Sequence, residues 1–203
     1  MSQIALPLSV SGPDRAERIV VGEGNRAAVA ALADSADWPF RTAVLVGPPR
    51  SGKSLLARWF AASTKGEAID DADRWDETAL FHRWNRAQED GRPLLLVGDA
   101  DGWTIRLPDL RSRLGGSLQL EILPPDDAMA AELILAHAEQ RGLQLPPQAA
   151  DYLVPRLTRS HAAIERVVGE IDRISLERKQ PATMSVWRDA LEAVQGPEQA
   201  RLL

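Results

Sequence analysis

The sequence predicts an α/β domain built on a parallel sheet, followed by an all-helical domain. Three observations carry this. Short apolar runs at 42–47 (TAVLVG), 92–101 (RPLLLVGDAD) and 117–123 (SLQLEIL) alternate with segments of helical periodicity. A glycine-containing loop joins the first run directly to a helix, as in a strand–loop–helix unit. From Asp126 onward every periodic segment reads as helix, with the boundary at Pro124-Pro125. The predicted organisation is a tail at 1–12, an α/β core at 13–125 and a helical domain at 126–203.

In chain order, MSQIALPLSV (1–10) is too short to span a membrane and has neither a basic n-region nor a long apolar stretch, and Pro7 favours extended backbone. SGPDRAER (11–18) is polar and turn-rich. The alanine-rich segment 25–36 predicts a helix ended by Asp37-Trp38-Pro39, and 51–63 predicts a second. EAIDDAD (67–73) reads as a very short strand ending in acids. Residues 77–91 read as a helix with Leu80, Phe81, Trp84 and Ala87 on one face. The later helices are expected at 126–141, 147–158, 160–178 and about 183–194, punctuated by Gly142, Pro146-Pro147 and Pro181.

Composition narrows the function classes. The chain has 203 residues, no cysteine and three scattered histidines, so disulfides, thiolate metal sites and histidine metal spacings are excluded. A net charge of −5 argues against a broad electrostatic grip on DNA as the main activity. With no export signal, a bacterial-type cytoplasm is predicted.

GPPRSGKS (47–54) satisfies G-x-x-x-x-G-K-[ST] at each fixed position and lies between a predicted strand and helix. In such a loop the backbone N–H groups of Gly47, Arg50, Ser51, Gly52 and Leu55 enclose phosphate oxygens, and Pro48 and Pro49, with no N–H to donate, shape the loop around them. Lys53 reaches the β- and γ-phosphates, and Ser54 ligates Mg²⁺. Nucleotide chemistry also needs an acid at the end of a neighbouring strand. LLLVGDAD offers Asp99 or Asp101, and EAIDDAD offers Asp70 and Asp71. The tandem pair suits the chemistry better, with one carboxylate for the metal and one to polarise water, although acids before a helix also serve as caps.

Several motifs in order resemble one family. VVGEGNR (20–26) looks like the box that opens the ATPase domain of the bacterial replication initiator DnaA. LPDLRSRLGGSLQLEILPPDD (107–127) resembles that family's arginine-finger stretch, and the helical tail is similar to its lid. The resemblance covers roughly 14–195 and implies an AAA+ core and lid binding ATP or ADP with Mg²⁺. It places Val20, Val21 and Asn25 near the base. It also assigns Asp70 to the metal and Asp71 to catalysis, Asp99 to the sensor position, and Arg113 to the finger. Two departures stand out. One βα unit is missing between the P-loop helix and the acid pair, which predicts a smaller core. The lid's sensor arginine matches Ala162, with Arg159 and Arg166 about a turn to either side.

No DNA-reading domain follows the lid in this sequence, and Gln3, Ile4, Leu6, Pro7 and Leu8 precede the core. In both respects the chain resembles the Hda family, regulatory inactivators of DnaA with a sliding-clamp motif at the N-terminus. The resemblance implies a negative regulator of initiation that binds the DNA polymerase III sliding clamp and promotes hydrolysis of DnaA-bound ATP. Its own ATPase would be weak or absent, its contact with DNA mainly through the clamp, and its place the nucleoid or replisome. No membrane partner is implied, and a homo-oligomer is compatible with the resemblance. The competing expectation is a stand-alone AAA+ ATPase or loader-type protein acting on DNA or a helicase, which would need robust turnover.

Overall fold

The computed structural model describes residues 9–10, 17–99 and 103–196. Four parallel strands, β3 (Thr42–Val46), β4 (Glu67–Ile69), β5 (Leu94–Val97) and β6 (Leu118–Glu121), form one sheet in the order β4-β5-β3-β6. Thr42 aligns with Leu94, Ala43 with Leu118 and Glu67 with Leu94. Ahead of them, β1 (Ser9–Val10) and β2 (Glu17–Arg18) make a two-residue antiparallel ladder that the sequence reading does not anticipate.

The pleat divides the core into two layers, because successive side chains of a strand point to opposite faces. Ala43, Leu45, Leu95, Val97 and Leu120 pack under α1 (Arg26–Ala33) and α2 (Lys53–Ser63). Val44, Leu94, Leu96 and Ile69 face α3 (Glu77–Glu89) and α4 (Pro108–Gly115). Strands covered on both faces explain the uninterrupted apolar run of β5. The helix α4 is absent from the sequence reading: eight residues that begin at Pro108 and end at Gly115 give too short a periodic signal.

The smaller core expected from the missing βα unit is what the sheet shows. Strand β4 pairs only with β5 among the described residues and is three residues long. Gly66 fits the turn into it because a Cβ there would lie 2.5 Å from the Phe60 ring and 3.0 Å from the Pro93 carbonyl.

The C-terminal helices are α5 (Asp127–Arg141), α6 (Pro147–Leu153), α7 (His161–Arg178) and α8 (Met184–Gln195). The stretch read as one helix at 147–158 ends early, with a 3₁₀ turn at Val154–Arg156 around Pro155. These helices enclose their own core, centred on Ile134, Leu153, Val167, Val168, Ile171 and Val186.

The seam between the two cores has apolar and polar parts. Val20 forms a small buried cluster with Met129 and Ala136. Asp126 caps α5 by accepting from Met129 N (2.8 Å) and also accepts from Glu23 N (2.9 Å). Arg18 pairs with Glu132, and the His161 ring lies 3.3 Å from Leu123 O through Nε2.

Candidate nucleotide cleft

The loops at the carboxyl ends of β3, β4 and β5 lie at one edge of the sheet, the edge where parallel α/β sheets bind ligands. They open into a cleft of about 700 Å³ whose wall unites Arg50, Lys53 and Ser54 with Asp70, Asp71 and Asp99. Residues far apart in sequence thus share one site, as the motif reading requires. Glu165, His137 and Gln140 complete the wall from the helical side.

The loop is built to approach an anion. Gly52 is left-handed (φ +88°), and a Cβ there would meet nothing within 4 Å, so that side of the loop is open. Gly47 allows the opposite wall to close: its Cβ would lie 2.9 Å from Ile122 Cβ and 3.2 Å from Ser51 Oγ. The Ser51 hydroxyl is buried without a hydrogen-bond partner, and α2 begins with no side-chain cap. Both leave donors directed to the loop, where a helix N-terminus already favours negative charge.

Lys53 Nζ donates to Gly47 O (2.7 Å) and Pro48 O (3.1 Å) and pairs with Asp99 Oδ1 (3.2 Å). Asp70 Oδ1 accepts from Asp71 N (3.1 Å), and Asp71 adopts φ +51° at the start of a 3₁₀ turn, Ala72–Arg74. Arg74 stands 3.9 Å from Asp71 Oδ2 and 3.9 Å from Asp99 Oδ2. Gly98, before Asp99, is covered by Trp103, whose ring would lie 2.7 Å from an added Cβ. Asp101, the other acid of that strand end, lies outside the described residues.

These groups fit a magnesium-bound polyphosphate. Among the described residues no cluster of three or more carboxylates and histidines could hold a metal alone. Mg²⁺ is ordinarily held by one or two protein oxygens with phosphates and water, which Ser54 and Asp70 match.

The remaining predicted residues lie elsewhere. Asn25 is buried with its amide engaged: Oδ1 accepts from Gly22 N (2.9 Å) and Nδ2 donates to Val20 O (2.9 Å). It ties the 20–25 turn together, while Val20 faces the helical seam and Val21 packs against the core. None of the three lines the cleft. Arg113, on α4, is also outside it. Its guanidinium lies 4.5 Å from the Phe81 ring centre and 4.3 Å from that of Trp84, and it donates to Asn85 Oδ1. Arg111 is exposed beside a smaller hollow lined by Trp103 and Asp99. Gln3, Ile4, Leu6, Pro7 and Leu8 lie outside the described residues.

The helical-side residues of the cleft wall, Glu165, His137 and Gln140, escaped the sequence reading. Glu165 forms a forked ion pair with Arg50 of the P-loop, and Arg141 stands 3.9 Å from it. The Arg50 guanidinium holds the Glu165 carboxyl below its usual range, whereas burial pushes His137 down. The two arginines flanking Ala162 do not reach the cleft: Arg159 pairs with Asp127 (2.9 Å), and Arg166 is exposed. No short motif marks a pair 115 residues apart.

Comparison with known proteins agrees with this architecture. Residues 127–191 match the family described as Hda, lid domain. An uncharacterized protein of Haemophilus influenzae is 32% identical over 123 residues, covering 58% of this chain and 52% of that protein. The chain therefore spans about half the length of that relative. Domain III of Thermotoga maritima DnaA superposes with a TM-score of 0.73 at 16% identity, over 88% of this chain and 95% of that one. AMPPCP-bound DnaA of Aquifex aeolicus gives 0.58 at 20% identity, over 78% and 63%. The T. maritima RuvB branch-migration motor gives 0.64 at 19% identity, over 87% and 72%. At these identities the structural likeness is one of fold.

Proposed function

We propose that this Hda-like, DnaA-related AAA+ protein regulates replication initiation by binding adenine nucleotide in its own cleft and presenting Arg113 to ATP held by DnaA. The observation that carries this reading is that Arg113 stands outside the cleft where the other predicted groups gather. Lys53, Ser54, Asp70, Asp71 and Asp99 converge on one cleft, whereas Arg113 stands apart from it on α4. An arginine that serves its own chain's nucleotide would line that cleft. The absence of Arg113 from that wall supports a role toward a neighbour's nucleotide, for which the guanidinium would leave Phe81, Trp84 and Asn85.

In the cleft, Lys53 exchanges the Gly47 and Pro48 carbonyls and Asp99 for phosphate oxygens. Ser54 and Asp70 would hold magnesium, Asp71 would orient water, and Asp99 would sense the terminal phosphate. Magnesium supplies charge neutralisation on the phosphates. Arg113 contributes a planar, permanently charged donor against the charge that develops on a transferred phosphoryl group. The Q-I-A-L-P-L segment would hold the protein on the sliding clamp, bringing Arg113 close to initiator on the same DNA.

The test is hydrolysis by this protein alone, by DnaA alone, and by both with clamp loaded on DNA. The expected result is slow turnover by the isolated protein and faster turnover in the full mixture, lost in Arg113→Ala. Motor-like turnover by the protein alone would favour the stand-alone ATPase or loader reading. Retained stimulation by Arg113→Ala would move the finger to another residue, with Arg111 the next candidate.

A further inference from the structure

The Arg50–Glu165 pair is the direct ion-pair bridge from the P-loop to the helical domain among the described residues. Arg50 occupies a left-handed conformation (φ +65°), which a side-chain-bearing residue adopts at a cost unless its surroundings hold it there. Glu165 engages the guanidinium that this loop residue extends. Its side chain is only 18% exposed, and Arg141 and His137 face it from α5.

Charge gives the pair its meaning. The cleft wall carries four basic groups, Arg50, Lys53, Arg58 and Arg74, and four acids, Asp70, Asp71, Asp99 and Glu165. Three of the acids follow strands β4 and β5, at positions with roles toward metal and water. Glu165 comes from the lid, one turn beyond Ala162, so both lie on the same face of α7. Where the related lids are expected to bring an arginine, this lid brings a carboxylate to the phosphate loop. A guanidinium fork donates to carboxylate and to phosphate oxygens in the same two-bond geometry.

We infer that Glu165 is an internal stand-in for phosphate: its carboxylate engages the Arg50 guanidinium as a phosphate would, and a nucleoside polyphosphate in the cleft competes with it. This deepens the proposed nucleotide reading and rests on it. Glu165 is then an affinity-setting residue that weakens nucleotide binding, and bound nucleotide weakens the lid-to-loop pair by the same factor, since coupling between sites is reciprocal.

The experiment is calorimetric titration of ADP with Mg²⁺ into wild-type protein, Glu165→Gln, Arg50→Ala and the double variant, each checked by thermal melting. Glu165→Gln keeps the side chain's shape but removes its charge. It should bind ADP more tightly, by roughly fivefold, the lower end of ordinary coupling between sites. Arg50→Ala should bind more weakly than wild type, and adding Glu165→Gln to it should restore little, because the contested guanidinium is gone. Without ADP, Glu165→Gln should melt slightly lower than wild type, yet gain more from ADP. Wild-type binding that Glu165→Gln leaves unchanged or weakens would overturn the competition alone. No ADP binding by wild type and Glu165→Gln alike would overturn the nucleotide reading and the competition with it.

Discussion

At the scale of single residues, Asn25 shows how a position can be conspicuous in sequence for one reason and act by another. It opens a helix-forming segment, but its buried amide joins Val20 O to Gly22 N within the preceding turn. Asn25→Ala should strand both backbone groups, and an unsatisfied buried group costs about 1–3 kcal/mol. The expected loss is about 2 kcal/mol in urea unfolding. A loss near zero would mean that water replaces the amide. His161 makes a different case. Burial pushes its pKa below the ordinary 6.5, with Leu123 O as hydrogen-bond partner and Lys53 as the facing charge. The native ring therefore stays neutral where the unfolded ring takes a proton. Its stabilising contribution is present above about pH 6.5 and is lost as pH falls through the lower native value. His137, faced by Glu165, Arg141 and Arg50, acts in the same direction. Melting temperatures between pH 7.5 and 5.5 should fall for wild type and fall less for His161→Gln; equal slopes would assign the effect to other groups.

At the scale of elements, legibility follows the strength of the local signal. Strand β5 and the P-loop helix were readable because Leu94–Val97 is apolar on both faces and Lys53–Ser63 follows a fixed motif. The short β4 was readable only through its terminal acids. Helix α4 was not, although it carries the predicted finger, because its apolar side amounts to Leu110 and Leu114. The Arg113 cradle was half visible: Phe81 and Trp84 were on the expected face of α3, but nothing local says that α4 crosses them. Glu165 was invisible, since its meaning arises where a lid helix meets a loop from the far end of the chain. Asp126 belongs to this scale too, because its carboxylate caps α5 and holds Glu23 N of the core. Asp126→Ala should cost about 1 kcal/mol as a lost cap. It should also speed proteolysis near Pro124-Pro125; unchanged cleavage would leave the cap as its whole contribution.

At the scale of the whole molecule, the proposed activity divides between parts that touch different things. In that proposal the cleft would hold nucleotide, α4 carries Arg113, and Gln3 to Leu8 would engage the clamp. Extended peptides of this length bind weakly, about micromolar, with Pro7 limiting the entropy lost on ordering. Such a contact works by raising local concentration, and linked binding gains about 10²–10⁴ in effective strength without any new contact. The two kinds of variant should therefore differ in how they respond to concentration. Gln3→Ala with Leu6→Ala should lose clamp binding, keep the wild-type ADP affinity, and stimulate DnaA-bound ATP hydrolysis poorly at ordinary protein concentration. Raising that concentration by about a hundredfold should restore stimulation, because free collision then supplies what the tether did. Arg113→Ala should bind clamp and ADP normally and recover at no concentration, since the missing charge belongs to the chemical step. A tail variant that stays inactive at high concentration would give the tail a role in the contact with DnaA itself. One that stimulates normally at low concentration would show that clamp tethering contributes nothing to the reaction.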